Sequence, residues 1–415
     1  MSQPAAVVRS GGMTTQRVAT AAAFFLQGFL FITMTTHLPQ IQGLFGLDAA
    51  TLSLVLLGMV VLAGAGSVLA GQIARRLDSA QALRVGLGLI GAGAIEVGLA
   101  PDLLLFCLFL AVYGVGLGTV DASMNMQGVA LEHRLRRTLL PGFHAAWTAG
   151  GIVATLAALA FGEAALAASV TPFGVVAVVA TALPFLRRDR GAEAGSEGVQ
   201  VSIPWKRLML VGLVLVLFYM VDTAASTWGP AYLHDLFGTG LGNVAVATLP
   251  YLVASLLARL AGDWAVGRFG AVRLLRAAAV LSAAALAVVV LAPNAAIAVL
   301  GFAVLGFGAG IIAPLSFSVA GSIAALGQAG SGGADDPVRR ARVDSVIARF
   351  NQFNYVGALL GSVLTGLVGA DSLRLGFALP LVLVLAILPL AGAFRDSSAG
   401  RDGSAVRGAG AVREE

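Results

Sequence analysis

The stretch Leu103–Gln127 reads LLLFCLFLAVYGVGLGTVDASMNMQ and holds a single charge, Asp121, in 25 residues. As an α-helix rising about 1.5 Å per residue, it is long enough to cross a hydrocarbon core about 30 Å thick. Its glycine ladder, Gly114-x-Gly116-x-Gly118, recurs 192 residues later as Gly306-x-Gly308-x-Gly310. Small residues in such a ladder let a neighbouring helix backbone come close. Neither ladder follows a strand, so neither reads as a phosphate loop. Working outward, apolar runs of similar length recur near 18–38, 50–71, 82–100, 142–162, 166–186, 208–229, 241–262, 272–292, 295–320, 346–369 and 373–394. The pattern predicts an all-α membrane protein with twelve transmembrane helices, boundaries good to about three residues.

Composition agrees. Hydrophobic residues make up 58% of the 415 and charged ones 11%, against roughly 25% charged in soluble domains. Arg9 and Arg17 before the apolar run Val18–Thr33 resemble a signal peptide. The run is read as a retained first span, because no clear cleavage site follows it and further spans do. Cys107 is the sole cysteine, which excludes a disulfide framework or a thiolate metal site. The four histidines are scattered and the one lysine, Lys206, is not in a Gly-Lys-Ser/Thr loop. No metal, nucleotide or other cofactor is therefore expected, and any pumping draws on a gradient or a partner subunit.

The net charge of +5 would suit nucleic acid, but the arginines are distributed as in a membrane protein. Arg75, Arg76, Arg134, Arg136, Arg137, Arg187, Arg188, Arg190, Arg259, Arg268, Arg339, Arg340 and Arg342 are assigned to one side, and only Arg374 to the other. By the positive-inside rule both termini are cytoplasmic. Arg76 and Arg84 recur at the 192-residue offset as Arg268 and Arg276, and Thr36-His37-Leu38-Pro39 matches Thr227-Trp228-Gly229-Pro230 with one gap. Beyond span 10 the offset grows, so that Phe143-His144 meets Phe350-Asn351 and Gly150 meets Gly357; Gly327–Asp344 reads as a polar loop insertion. A parallel six-helix repeat predicts two bundles, 17–186 and 207–394, with a site between them. Residues 187–206 are the expected cytoplasmic linker, and 1–16 and 395–415 the expected disordered tails.

With these features the chain resembles the major facilitator superfamily over nearly its whole length. Where that family carries Gly-x-x-x-Asp-Arg-x-Gly-Arg-Arg, loop 2–3 here reads Gly71-Gln72-Ile73-Ala74-Arg75-Arg76-Leu77-Asp78. The second copy reads Asp263-Trp264-Ala265-Val266-Gly267-Arg268-Phe269-Gly270. Both keep arginine and glycine and lack the central acid, so the resemblance implies a cytoplasmic gate at Gly71, Arg76, Arg268 and Gly270 without its usual ion pair. Asp121-Ala-Ser-Met-Asn125-Met-Gln127-Gly128, followed by Phe143-His144, resembles the fucose-permease-like branch of sugar and metabolite porters. The resemblance implies an acid on helix 4, which Asp121 supplies, and one on helix 1, where this chain offers Gln27 instead.

An ionised carboxylate at mid-bilayer costs about 2.5–3.5 kcal/mol, so an acid kept there faces a cavity or a partner. Asp121 shares a face of span 4 with Gly114, Gly118 and Asn125 and is the first candidate for proton coupling. The alternative is a structural acid bonded to span 2 or 5. Asp222, with Tyr219, Thr223 and Ser226 on its face of span 7, is the second, or else an acid already reached by water. Glu96, near the outer end of span 3, is read as snorkelling. His144 could relay a proton with Asp121, since imidazole titrates near neutrality, or could pin two helices. Candidate substrate contacts are Gln27, Asn125, Trp147, Tyr219, Trp228, Asn351, Asn354 and Tyr355; for Gln27 helix–helix bonding, and for Trp228 the aromatic belt, are equal alternatives.

The function expected is secondary active transport of a small solute, a sugar or other polar metabolite, by alternating access in a bacterial cytoplasmic membrane. Protons are preferred to sodium as the coupling ion because no helix break of the Na⁺-coordinating kind is evident in the sequence. Export of amphiphilic drugs or natural products is the alternative. An intramembrane enzyme is disfavoured because no nucleophile–base constellation can be assembled. A monomer is expected, since each half has its partner in the same chain.

Overall fold

The computed structural model describes residues 5–47, 49–161, 166–187, 204–238, 244–325 and 337–395. Among these every regular element is a helix. The order is α1 (Ala5–Thr36), α2 (Leu38–Phe45), α3 (Ala49–Arg76), α4 (Ser79–Gly98), α5 (Leu103–Leu135), α6 (Leu140–Phe161) and α7 (Leu166–Ala180). Then α8 (Trp205–Thr223) runs through a π segment, Ala224–Trp228, into α9 (Gly229–Phe237). It continues with α10 (Val244–Phe269), α11 (Ala271–Leu291), α12 (Ala295–Ala309), α13 (Ile312–Ala325), α14 (Pro337–Phe350), α15 (Gln352–Val368), α16 (Leu373–Leu385) and α17 (Ile387–Leu390). Among the described residues ten helical segments are long and apolar enough to cross a membrane, and α7 is a shorter apolar helix. Leucine and valine side chains such as Leu54, Val179, Leu300 and Leu367 point outward and exposed, as lipid-facing surfaces require. The molecule is a multi-pass membrane protein.

The starts of the helices follow from their caps. Asp78, Asp102 and Asn294 each accept, through Oδ1, the N–H three residues on, at 2.7, 2.9 and 3.0 Å; these open α4, α5 and α12 by satisfying an N–H that has no helical acceptor. The repeat read from the sequence reappears as geometry. α2 and α9 are short helices ending at Gly46 and Gly238, both in the left-handed region at φ 61° and 66°, where glycine carries no Cβ penalty. A Cβ on Gly114 or Gly118 would meet backbone of α3, and one on Gly306 or Gly310 would meet α10. The middle glycines Gly116 and Gly308 face α4 and α11 instead. The pairs α1–α6, α3–α5, α4–α5 and α4–α7 correspond to α8–α15, α10–α12, α11–α12 and α11–α16.

The first set of helices meets the second through α6 with α10, α3 with α14 and α15, and α5 with α13 and α14. Bonds join them at mid-helix and toward the arginine-rich ends. Ser67 Oγ donates to the Ala348 carbonyl at 3.2 Å, and Gln352 Nε2 to the Gly64 carbonyl at 3.2 Å. Arg340 Nη1 reaches the Arg187 carbonyl at 2.5 Å. At the opposite ends α2 packs on α1, and α9 on the π segment, α10 and α12.

Several expectations need correction. Helix α1 begins at Ala5, so residues 5–16 are its first turns and not a tail. Trp205 and Lys206, assigned to the linker, open α8; residues 188–203 of that linker, 396–415 of the C-terminal tail and 326–336 of the polar insertion lie outside the described residues. The rest of the insertion, Pro337–Asp344, is helical as the start of α14, since proline suits a first helical turn and the arginines that follow propagate it. Helix breaks are present after all. The path of span 7 passes through the π segment, span 10 is interrupted between α12 and α13, and span 11 between α14 and α15 at Asn351.

Candidate functional site

Asp121 lies on α5 at the meeting of the two sets of helices. Its Oδ2 accepts from Asn351 Nδ2 at 2.9 Å, Tyr355 OH at 3.0 Å and Asn354 Nδ2 at 3.3 Å. These donors sit three and four residues apart, so one turn at the start of α15 presents them together. Asn354 Nδ2 also donates to Asn351 Oδ1 at 2.8 Å, which fixes the amides relative to each other. Asn351 Nδ2 lies 3.4 Å from Ser67 Oγ on α3. The Asn354 Oδ1 is buried without a partner.

A second strand of bonds leads from Asp121 into the other helices. Asn125 Nδ2 donates to the Asp121 carbonyl at 2.9 Å, and its Oδ1 faces His144 Nε2 at 3.3 Å. His144 is placed next to Asn125, one turn along α5 from Asp121, and not in direct hydrogen bond with the Asp121 carboxyl; its ring packs at 5.2 Å on Phe24. Arg259 Nη1 donates to the His144 carbonyl at 3.3 Å and to Thr148 Oγ1, while its Nε donates to the Gly310 carbonyl at 2.9 Å. That last carbonyl is exposed by the break between α12 and α13. Arg259 is thus no loop cation, as the charge distribution had it, but a buried side chain in α10. The signal was present, because Arg259 lies inside the apolar run predicted to be span 8.

The other candidates divide. Asp222 Oδ1 accepts from Tyr251 OH, a partner that nothing in the sequence marked. Tyr219 lies in the field of Asp121, Asp222 and Arg259, so the structure gathers it with them. Trp147 has the Arg259 guanidinium 6.0 Å from its ring, and its indole N–H donates to Gln27 Oε1; Gln27 and Trp147 thus join α1 to α6. Trp228 donates to the Ser362 carbonyl at 2.9 Å and joins the π segment to α15. Of the gate residues, Gly71 is buried where a Cβ would lie 2.8 Å from Ala348 Cβ. Arg76, Arg268 and Gly270 are exposed, and Gly270 turns α10 into α11 at φ 76°. On that side Glu132, which the sequence reading missed, also bridges the two sets of helices. Its Oε1 accepts from the Leu139 and Leu140 N–H groups at 2.7 and 2.9 Å and from Ser318 Oγ at 2.9 Å.

Helices repeated in this register, with polar side chains converging between two sets, define a transporter fold, that of the major facilitator superfamily. The solved structures agree. A crystal structure of the transporter FucP in its outward conformation matches at a TM-score of 0.72, covering 93% of this chain and all of that one at 16% identity. The proton:xylose symporter XylE matches at 0.71 and 13% identity over 93% and 96% of the two chains. The human organic anion transporter MFSD10 matches at 0.72 and 13% identity over 91% and 99%. In sequence, an uncharacterized transporter of Sinorhizobium fredii, y4wD, is 29% identical over 72% of this chain and 80% of its own length. An uncharacterized MFS-type transporter of Yersinia pestis is 25% identical over 90% and 94%. No protein-family model matches the chain. The chain resembles transporters of this superfamily, FucP among them, and these similar proteins are transporters and not enzymes.

Proposed function

We propose that this chain is a secondary active transporter that moves a small polar solute across a bacterial cytoplasmic membrane, coupled to protons, by alternating access. Twelve spans form two bundles, 17–186 and 207–394, joined by the cytoplasmic linker 187–206, and the bundles rock about a central site in a monomer. Both termini are cytoplasmic, which makes the arginine-rich, closed side the inner one. Asp121 carries the coupling proton.

The observation that carries this reading is the bonding of Asp121. The seat proposed for the coupling proton is a carboxyl of one bundle whose side-chain donors all come from the other, Asn351 at the α14–α15 junction and Asn354 and Tyr355 on α15. Gaining or losing that proton changes what Asn351, Asn354 and Tyr355 can donate to, and so changes what holds the bundles together. The interruptions in spans 7, 10 and 11 weaken the preference for protons over sodium that helix continuity supports; the intramembrane carboxyl of Asp121 supports it independently. Asp121→Asn keeps the shape and removes the proton. In proteoliposomes with an imposed pH gradient the variant is expected to lose gradient-driven accumulation while keeping solute exchange. Gradient-driven accumulation at the wild-type rate would sink the proposal.

A second reading, export of amphiphilic compounds, draws on the aromatic side chains Trp147, Tyr219, Tyr251 and Tyr355 around the same centre. Thermal stabilisation by amphiphilic compounds and by no sugar or organic acid would favour it.

A further inference from the structure

We infer that the transported solute carries a carboxylate and that Arg259 binds it. The inference rests on the transport reading above and narrows it to a substrate class. Arg259 is 6% exposed within an apolar transmembrane run. A guanidinium held there costs several kcal/mol unless a negative group compensates it. Among the described residues no carboxylate forms an ion pair with it. Its bonds go to two carbonyls and a hydroxyl. Asp222 is the one carboxylate whose charge acts on it, and that acid is already engaged by Tyr251.

The fork is oriented but incomplete. Nε and Nη1 are used, while Nη2 donates to no group of the protein among the described residues. Other arginines of the fold are used differently. Arg84 donates from Nε and Nη2 to the Thr181 and Leu183 carbonyls, both at 3.0 Å, and its own unused Nη1 is buried. Arg374 donates from both Nη atoms to the Val290 and Ala292 carbonyls at 3.1 and 2.7 Å. Those pairs finish helix ends. Arg259 instead stands where the two sets of helices meet, with Trp147 over the guanidinium at 6.0 Å and, in its field, the Tyr219 hydroxyl, which makes no hydrogen bond among the described residues.

A carboxylate on Nη2 would supply a directly paired negative charge through a charge-assisted bond, with Tyr219 left to meet a hydroxyl of the same solute. One free arm with Asp222 close by suits a monoanion; a phosphate dianion would meet a single cation and a neighbouring acid. The class is a hydroxylated carboxylate, such as a sugar acid.

The test compares the unfolding midpoint of the purified full chain with D-glucose, D-glucuronate, D-gluconate, glucose 6-phosphate and an amphiphilic cation. A sugar acid is expected to raise the midpoint and glucose at the same concentration to leave it unmoved. Arg259→Gln is expected to weaken sugar-acid binding at least about tenfold, and Arg259→Lys, which keeps the charge without the fork, to weaken it less. Should the glutamine variant fail to fold, the wild-type comparison and the lysine variant decide the matter. Equal stabilisation by glucose, preference for the phosphate ester, no stabilisation by either sugar acid, or full sugar-acid binding by Arg259→Gln would each overturn the inference. Stabilisation by glucose alone would leave the transport reading standing, because the Asp121→Asn measurement tests that separately.

Discussion

Glu132 ends α5 beside His133 and Arg134, yet its carboxylate turns inward and is 8% exposed. The Leu139 and Leu140 N–H groups that it accepts open α6, where backbone donors have no helical partner. Ser318 brings the other set of helices into the same bond. Removing the cap with Glu132→Ala is expected to cost on the order of 1 kcal/mol, read as a lower unfolding midpoint of the purified protein. Glu132→Gln keeps an accepting oxygen and should lose less; equal losses would show that the contact is not a cap. Asp121 was legible in the sequence because a lone acid stands out in an apolar run. Glu132 was not, because in a cluster of charges at a span end it looks like any interfacial residue. Arg259 was misread for a related reason: the charge asymmetry already accounted for arginines, so one inside a span was counted with the loops.

Helix spacing was the most legible layer. Asp102 and Asn294, which cap α5 and α12, lie at the same 192-residue offset as the glycine ladders and as Gly46 and Gly238. Each ladder does the same work twice: its outer glycines admit one neighbouring helix and its middle glycine another. Gly118 is the tightest place to test, since a Cβ there would overlap the Ala63 carbonyl on α3. Gly118→Leu cannot be relieved by a rotamer change, because the obstacle is backbone. It is expected to destabilise the protein by about 1–3 kcal/mol or more, measured as folded yield and unfolding midpoint; an unchanged midpoint would mean that α3 and α5 can separate freely. The breaks in spans 7, 10 and 11 were not legible. Ala224, Ala225 and their neighbours suit a continuous helix as well as a π segment, and only packing decides between them.

Hydrogen bonds tie the two sets of helices at two levels. Near the arginine-rich ends they are tied by Arg340 and Glu132–Ser318, and at the level of Asp121 by Ser67–Ala348 and Gln352–Gly64, while α2 and α9 each pack within their own set. If the central site is to be reached alternately from each side, these ties must break together as α2 and α9 approach. Packed interfaces switch between discrete arrangements instead of deforming smoothly. Spin labels on the exposed side chains of Arg137 and Arg268 would report the closed side, and labels at Gln42 and Asp235 the open one, with Cys107→Ser as background. On addition of the transported solute at acid pH, a second population is expected in both pairs. Its distance should lengthen between 137 and 268 and shorten between 42 and 235, in matching proportion. Asp121→Asn, unable to change its proton, should hold a fixed ratio of the two populations across pH. Two pairs that change independently would mean that the bundles do not move as units, and one unchanging population in both would remove alternating access from the reading altogether.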